Sequence, residues 1–281
     1  MISFLICIVA LVLGYVLYGA VVERIFGPDG RETPAVRLAD GVDYVAMPTW
    51  RVYMIQFLNI AGTGPIFGAI MGMWFGPAAF LWIVFGSIFA GAVHDYLSGM
   101  LSLRHDGAGL PTLVGKYLGN GTRAVMLVFT VLLLLMVGAV FVYSPAIILS
   151  GFGGNQVMWV IVIFVYYLIA TLVPIDKLIG RIYPLFAIAL IFMAVALMAV
   201  LIVKHPSLPE LWNIGDMSMW HDSLTVGGKD ALGIKAFMAC NPWFPCMFIT
   251  IACGAISGFH ATQSPLMARC LKSERLGRRV F

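Results

Sequence analysis

Charge is scarce in this chain. Only 11% of its 281 residues are Asp, Glu, Lys or Arg, where a soluble domain carries about 25%. Mean hydropathy is +0.97 and 61% of the residues are hydrophobic. That balance excludes a water-soluble globular fold. Cysteine is also sparse, with five residues and no CxxC pair. Cys246 and Cys253 share a helical spacing, but no nearby His or acidic pair completes a metal site. The cysteines read as small buried apolar residues. No Walker A or other nucleotide motif is present, and no nucleophile–base or metal set converges. An enzyme and a primary pump are therefore not indicated, and no cofactor is expected. The first apolar segment, residues 2–22, lacks a basic leader region and a small-residue cleavage site, so it reads as a retained helix.

What is abundant is apolar length. Seven segments, at about 2–22, 51–72, 75–103, 122–149, 156–174, 182–204 and 240–264, approach or exceed the roughly 20 residues that cross a bilayer. The fold class is therefore all-α, a polytopic transmembrane helical bundle. The loops divide the basic residues unequally. One side receives only Lys204, Lys229 and Lys235, and the other receives the remaining 14 of the 17. The positive-inside rule puts the richer side in the cytoplasm, the N-terminus outside and the C-terminus inside. The net charge of +4 follows from this topology and does not point to nucleic acid. The long connection from His205 to Ala239 is then external, with Trp212 and Trp220 as interfacial anchors.

Two Gly-rich breaks interrupt these segments. The first is Asn59-Ile60-Ala61-Gly62-Thr63-Gly64-Pro65. The second is Gly254-Ala255-Ile256-Ser257-Gly258-Phe259-His260. Lipid offers a broken backbone no hydrogen-bond partner, so such a break must be buried in protein or line a cavity. Span 2 enters from the cytoplasm and span 7 from outside, with five spans between their starts. An inverted five-plus-five repeat has this form, with the first helix of each repeat unwound at mid-membrane. Residues 1–22 are then an extra helix, 51–204 a first repeat, and 240–281 the opening of a second, within a single membrane domain, 1–281.

Three stretches carry a resemblance: Asn59-IAGTGPIFGAI-Met71, Phe80-LWIVFGSIFAGAVHDYLSG-Met100 and Gly254-AISGFHATQSPLMARC-Leu271. Together they resemble the carbon starvation protein CstA family. The resemblance implies a bacterial inner-membrane transporter of peptides and pyruvate, used under nutrient limitation. It also implies the LeuT-like inverted-repeat core of the amino acid–polyamine–organocation superfamily. Family members continue well beyond the third motif. The resemblance therefore implies an N-terminal portion, with the missing C-terminal part of the transporter as a partner.

Three groups of residues could carry chemistry. Asn59, Gly62, Thr63 and Gly64 expose backbone and side-chain groups at the first break. Freed N–H groups at a helix N-terminus suit a carboxylate. The competing account is a proline kink at Pro65, with the glycines serving close helix packing. His94 and Asp95 lie inside span 3. Ionisable groups there face a partner or a pathway, and a carboxyl can pass a coupling proton. The alternative is a structural pair near the interface with Arg104. Ser257, His260 and Gln263 follow the second break, with Thr262 and Ser264. They form either a substrate-binding cluster or only the polar end of span 7. The functional expectation is a secondary transporter for small peptides or short carboxylates such as pyruvate, coupled to protons. The alternatives are a non-transporting membrane subunit or sensor, or an incomplete fragment of the transporter.

Overall fold

The structure, a computed structural model, describes residues 1–72, 75–172, 175–206, 208, 210–213, 243–255 and 258–281. All regular structure among them is helical. Among the described residues four helices are long and apolar enough to cross a membrane: Ile2–Phe26 (α1), Ala78–Arg104 (α4), Asn120–Ser150 (α6) and Pro184–Lys204. The last is the greater part of the helix Ile175–Lys204 (α8). A shorter apolar helix covers Gln156–Leu172 (α7).

The expected spans 2 and 7 take a different form. Span 2 is two helices, Thr49–Ile60 (α2) and Thr63–Gly72 (α3). Span 7 is likewise two, Trp243–Ala255 (α9) and Gly258–Ala268 (α10). A helix rises about 1.5 Å per residue, so neither member of a pair could cross a bilayer of about 30 Å alone. Ser257, Trp220 and the Asn241–Pro242 pair lie outside the described residues.

The chain divides into two compact units. The divisions fall at Asn59/Ile60, Tyr96/Leu97 and Ser257/Gly258 among others, so the chain passes between units at both breaks. In the first unit, α3 packs along α9, which also meets α4. Phe75, Ala79 and Met247 form the buried centre there. α1 and α4 each carry a wider π turn, at Gly14–Tyr18 and Gly86–Gly91. The turns pack together, with the Tyr18 and Phe89 rings 4.9 Å apart. A Cβ at Gly14 would lie 2.6 Å from the Ile88 side chain, so glycine is what permits this approach. Within lipid, such contacts stabilise by close packing rather than by excluding water. The Glu210 carboxylate meets the N-terminal ammonium and the Ser3 N–H at the start of α1. These partners hold its pKa down to about 2.

In the second unit, α6 forms antiparallel hairpins with Leu110–Leu118 (α5) and with α7. Val52, Ile55, Leu103, Met267, Ala268, Leu271 and Val280 make its buried core. The expected cytoplasmic segments are tied together within this unit. Arg37 pairs with Asp106. Arg269 donates to the Gly107 carbonyl at 3.0 and 3.2 Å and lies over the Tyr44 ring. Glu274 is only 1% exposed. It pairs with Arg104 and accepts the Asp29 N–H at 2.8 Å. The Arg31 guanidinium beside Asp29 holds that carboxyl well below the usual carboxylate range.

Candidate functional site: a buried histidine behind a broken helix

The first interruption is short. Ala61 and Gly62 stand outside helix, and the Gly62 N–H closes a tight turn on the Ile60 carbonyl at 2.9 Å. Thr63, Gly64 and Pro65 then form the first turn of α3. Proline is tolerated there because a first-turn N–H has no partner within the helix. The N–H groups of Thr63 and Gly64 have no acceptor inside the helix for the same reason. Gly62, Gly64 and Asn59 are half-buried.

The second interruption leads into α10, whose third residue is His260. The sequence leaves open whether His260 is merely the polar end of a span. In the structure it is fully buried. Its Nε2 meets the side-chain amide of Gln56. The Gln56 amide also donates to Ser264 Oγ at 3.3 Å. Ser264 in turn donates to the His260 carbonyl at 3.1 Å. Ser98 Oγ donates to Ser264 Oγ at 3.4 Å. Gln56, His260 and Ser264 are each at 0% exposure. The second unit therefore joins three expected spans, 2, 3 and 7, through one buried polar cluster.

Buried polar groups are costly unless hydrogen-bonded, at about 1–3 kcal/mol for each one left unmet. Gln56 Oε1 is buried and has no hydrogen-bond partner among the described residues. Sequence reasoning missed Gln56. A signal was available: it is a lone amide within an apolar helix, three residues before Asn59 and hence on the same face. Gln263 lies half-buried and donates to Thr262 Oγ1 at 3.3 Å.

His94 and Asp95 belong to the first unit. Asp95 is 7% exposed, and its Oδ1 lies 3.0 Å from His94 Nδ1. Arg104, the partner weighed for them in the sequence, pairs with Glu274. The apolar groove between α6 and α7, about 790 Å³ in volume, has no charged group in its lining. Among the described residues no cluster of His, Cys, Asp and Glu has the makings of a metal site.

The profile of the family described as Carbon starvation protein CstA matches residues 1–150 and 142–278. The chain belongs to the CstA carbon starvation family. An "uncharacterized membrane protein" of Haemophilus influenzae is 42% identical over all of this chain and 85% of its own length. The peptide transporter CstA of Campylobacter jejuni is 29% identical, over 89% of this chain and 42% of its own. The pyruvate/proton symporter BtsT of Escherichia coli is 27% identical, over 82% of this chain and 39% of its own. The chain thus spans less than half the length of these two transporters. No solved structure matches it. As a CstA-family chain with several membrane-length apolar helices, it is an integral membrane protein.

Proposed function

We propose that this CstA-family chain is the substrate-handling part of a secondary transporter. It moves small peptides or short carboxylates such as pyruvate inward across the bacterial inner membrane, coupled to protons. The observation that carries this reading is the pair of interrupted helices. α3 packs along α9 in one unit, and Gln56 of α2 meets His260 of α10 in the other. Helices broken in corresponding places are what an inverted-repeat transporter needs at its substrate site. Residues 51–204 serve as the first repeat and 240–281 open the second, in a seven-span arrangement. Asn59, Gly62, Thr63, Gly64, Ser257, His260 and Gln263 bind the substrate, and His94 with Asp95 passes the coupling proton. The names of the peptide-transporting and pyruvate-transporting relatives support the substrate class.

Within a complete transporter that supplies the rest of the second repeat, the chain in proteoliposomes should take up labelled pyruvate or labelled dialanine, faster with an inward proton gradient than without one. Uptake of neither probe under either condition rejects the reading.

The orientation has its own check. The bonds among Arg37, Asp106, Gly107 and Arg269 gather basic segments at one end of the second unit. With the five native cysteines replaced, a cysteine placed within 107–116 should react with a membrane-impermeant maleimide only from the cytoplasm. One within 205–239 should react only from outside. An exchange of sides removes both the orientation and the repeat alignment.

A further inference from the structure

The Gln56 carboxamide has two different ends. One carries two N–H donors and the other a carbonyl acceptor. In the structure the donor end faces His260 Nε2 and Ser264 Oγ. Facing that end, Nε2 meets the amide as an acceptor. The Ser264 proton is committed to the His260 carbonyl, so Ser264 Oγ is available to accept. Gln56 Oε1 is left buried with no hydrogen-bond partner among the described residues.

A proton on Nε2 reverses this preference. An N–H of the imidazolium cannot face an NH₂ group, but it can donate to Oε1. Turning the amide over satisfies the new N–H and places the two amide donors where Oε1 had been. Asn59 lies one turn further along the same face of α2, which ends at Ile60.

We propose that Gln56 is a positioning residue that links proton binding at His260 to binding of an anionic substrate. The neutral pair presents an acceptor, and the protonated pair presents donors that suit a carboxylate. This rests on the transporter reading and deepens it: the ligand class is the carboxylate anion, and protonation favours its binding. The proton is taken up on His260 Nε2 and is released from the same atom when the amide turns back. The ionisable groups on the surrounding helices are Arg51 on α2, His94, Asp95, Arg104 and His105 at and beside α4, Lys116 on α5 and Arg123 on α6. Of these, Arg104 is held by Glu274, and His105 by the Leu101 carbonyl and Tyr117.

The test is equilibrium binding of labelled pyruvate to the purified chain in nanodiscs, at about pH 5.5 and about pH 7.5, on either side of ordinary histidine titration. The wild-type protein should bind pyruvate about tenfold tighter at the lower pH, a coupling of ordinary size. Gln56→Met keeps the volume but has neither amide end, and should bring that ratio to about one. Gln56→Glu keeps a polar head of the same length, and its carboxylate should weaken pyruvate binding at both pH values. A wild-type ratio near one, or a tenfold ratio surviving in Gln56→Met, overturns the proposal. If Gln56→Met does not fold, wild-type affinity in Gln56→Glu overturns it. These outcomes differ from failure of the transporter reading itself, in which neither pyruvate nor dialanine binds at either pH.

Discussion

Asp95→Asn should abolish proton-driven accumulation of substrate while leaving exchange intact. Asp95 is nearly buried within α4, a helix long and apolar enough to cross the membrane. Its carboxyl lies beside His94 Nδ1 at 3.0 Å. An amide preserves the shape of the carboxyl and can still accept from the imidazole, but it cannot release a proton. If Asp95 carries one proton per substrate, a gradient of about one pH unit supports about tenfold accumulation, since each tenfold is about 1.4 kcal/mol. Liposomes carrying the Asp95→Asn variant of the complete transporter should only equilibrate. Counterflow, in which labelled substrate exchanges for unlabelled with no net proton movement, should stay within about twofold of wild type, because uniform binding is untouched. Loss of both activities with normal expression would make the pair structural. Undiminished accumulation would remove Asp95 from the mechanism. The two protonation events are separable when the His260 proton returns to the side it came from: accumulation then reads Asp95, and equilibrium binding reads His260.

The part of this architecture that was legible in the sequence is what lipid makes compulsory. A hydrophobic helix declares itself by length, and α1, α4, α6 and α8 fall where the apolar runs lie. The Gly-Thr-Gly-Pro break is readable because Gly62 weakens a helix and Pro65 suits only a first turn, so α2 ends at Ile60 and a new helix starts at Thr63. The π turns at Gly14 and Gly86 have no comparable signature, and their packing on each other is a contact between helices far apart in sequence. Polar partners were the least legible. His260 stands out as an ionisable residue in an apolar run, but its neighbour Gln56 lies 204 residues away, and nothing local announces that pairing. Glu274 was hidden differently. It sits among Arg269, Lys272, Arg275, Arg278 and Arg279, so the segment reads as a basic anchor on the membrane surface. Only the fold reveals that the one acid in that run is its buried charge.

That buried acid makes the last prediction the most severe for stability. Glu274 is 1% exposed. It is held by Arg104 and the Asp29 N–H, with Arg31 further off at 3.7 Å. Three separate stretches of the second unit thus converge on one carboxylate. A buried ion pair adds little net stability when intact, because desolvation offsets attraction. Removing one partner is different, since it strands a charge away from water. Arg104→Met should destabilise the protein by about 3 kcal/mol, at the lower end of the range for a broken buried pair because Arg31 remains nearby. The accompanying neutralisation Glu274→Gln keeps an oxygen for the Asp29 N–H and removes the stranded charge. The double variant Arg104→Met/Glu274→Gln should therefore recover most of the loss, and be more stable than Arg104→Met alone. Thermal unfolding of the detergent-solubilised proteins, followed by exposure of Cys270, which is buried against the same core, would give the order. If the double variant is less stable than Arg104→Met, charge burial is not what makes Arg104 necessary, and the contacts of its aliphatic stem must account for the loss.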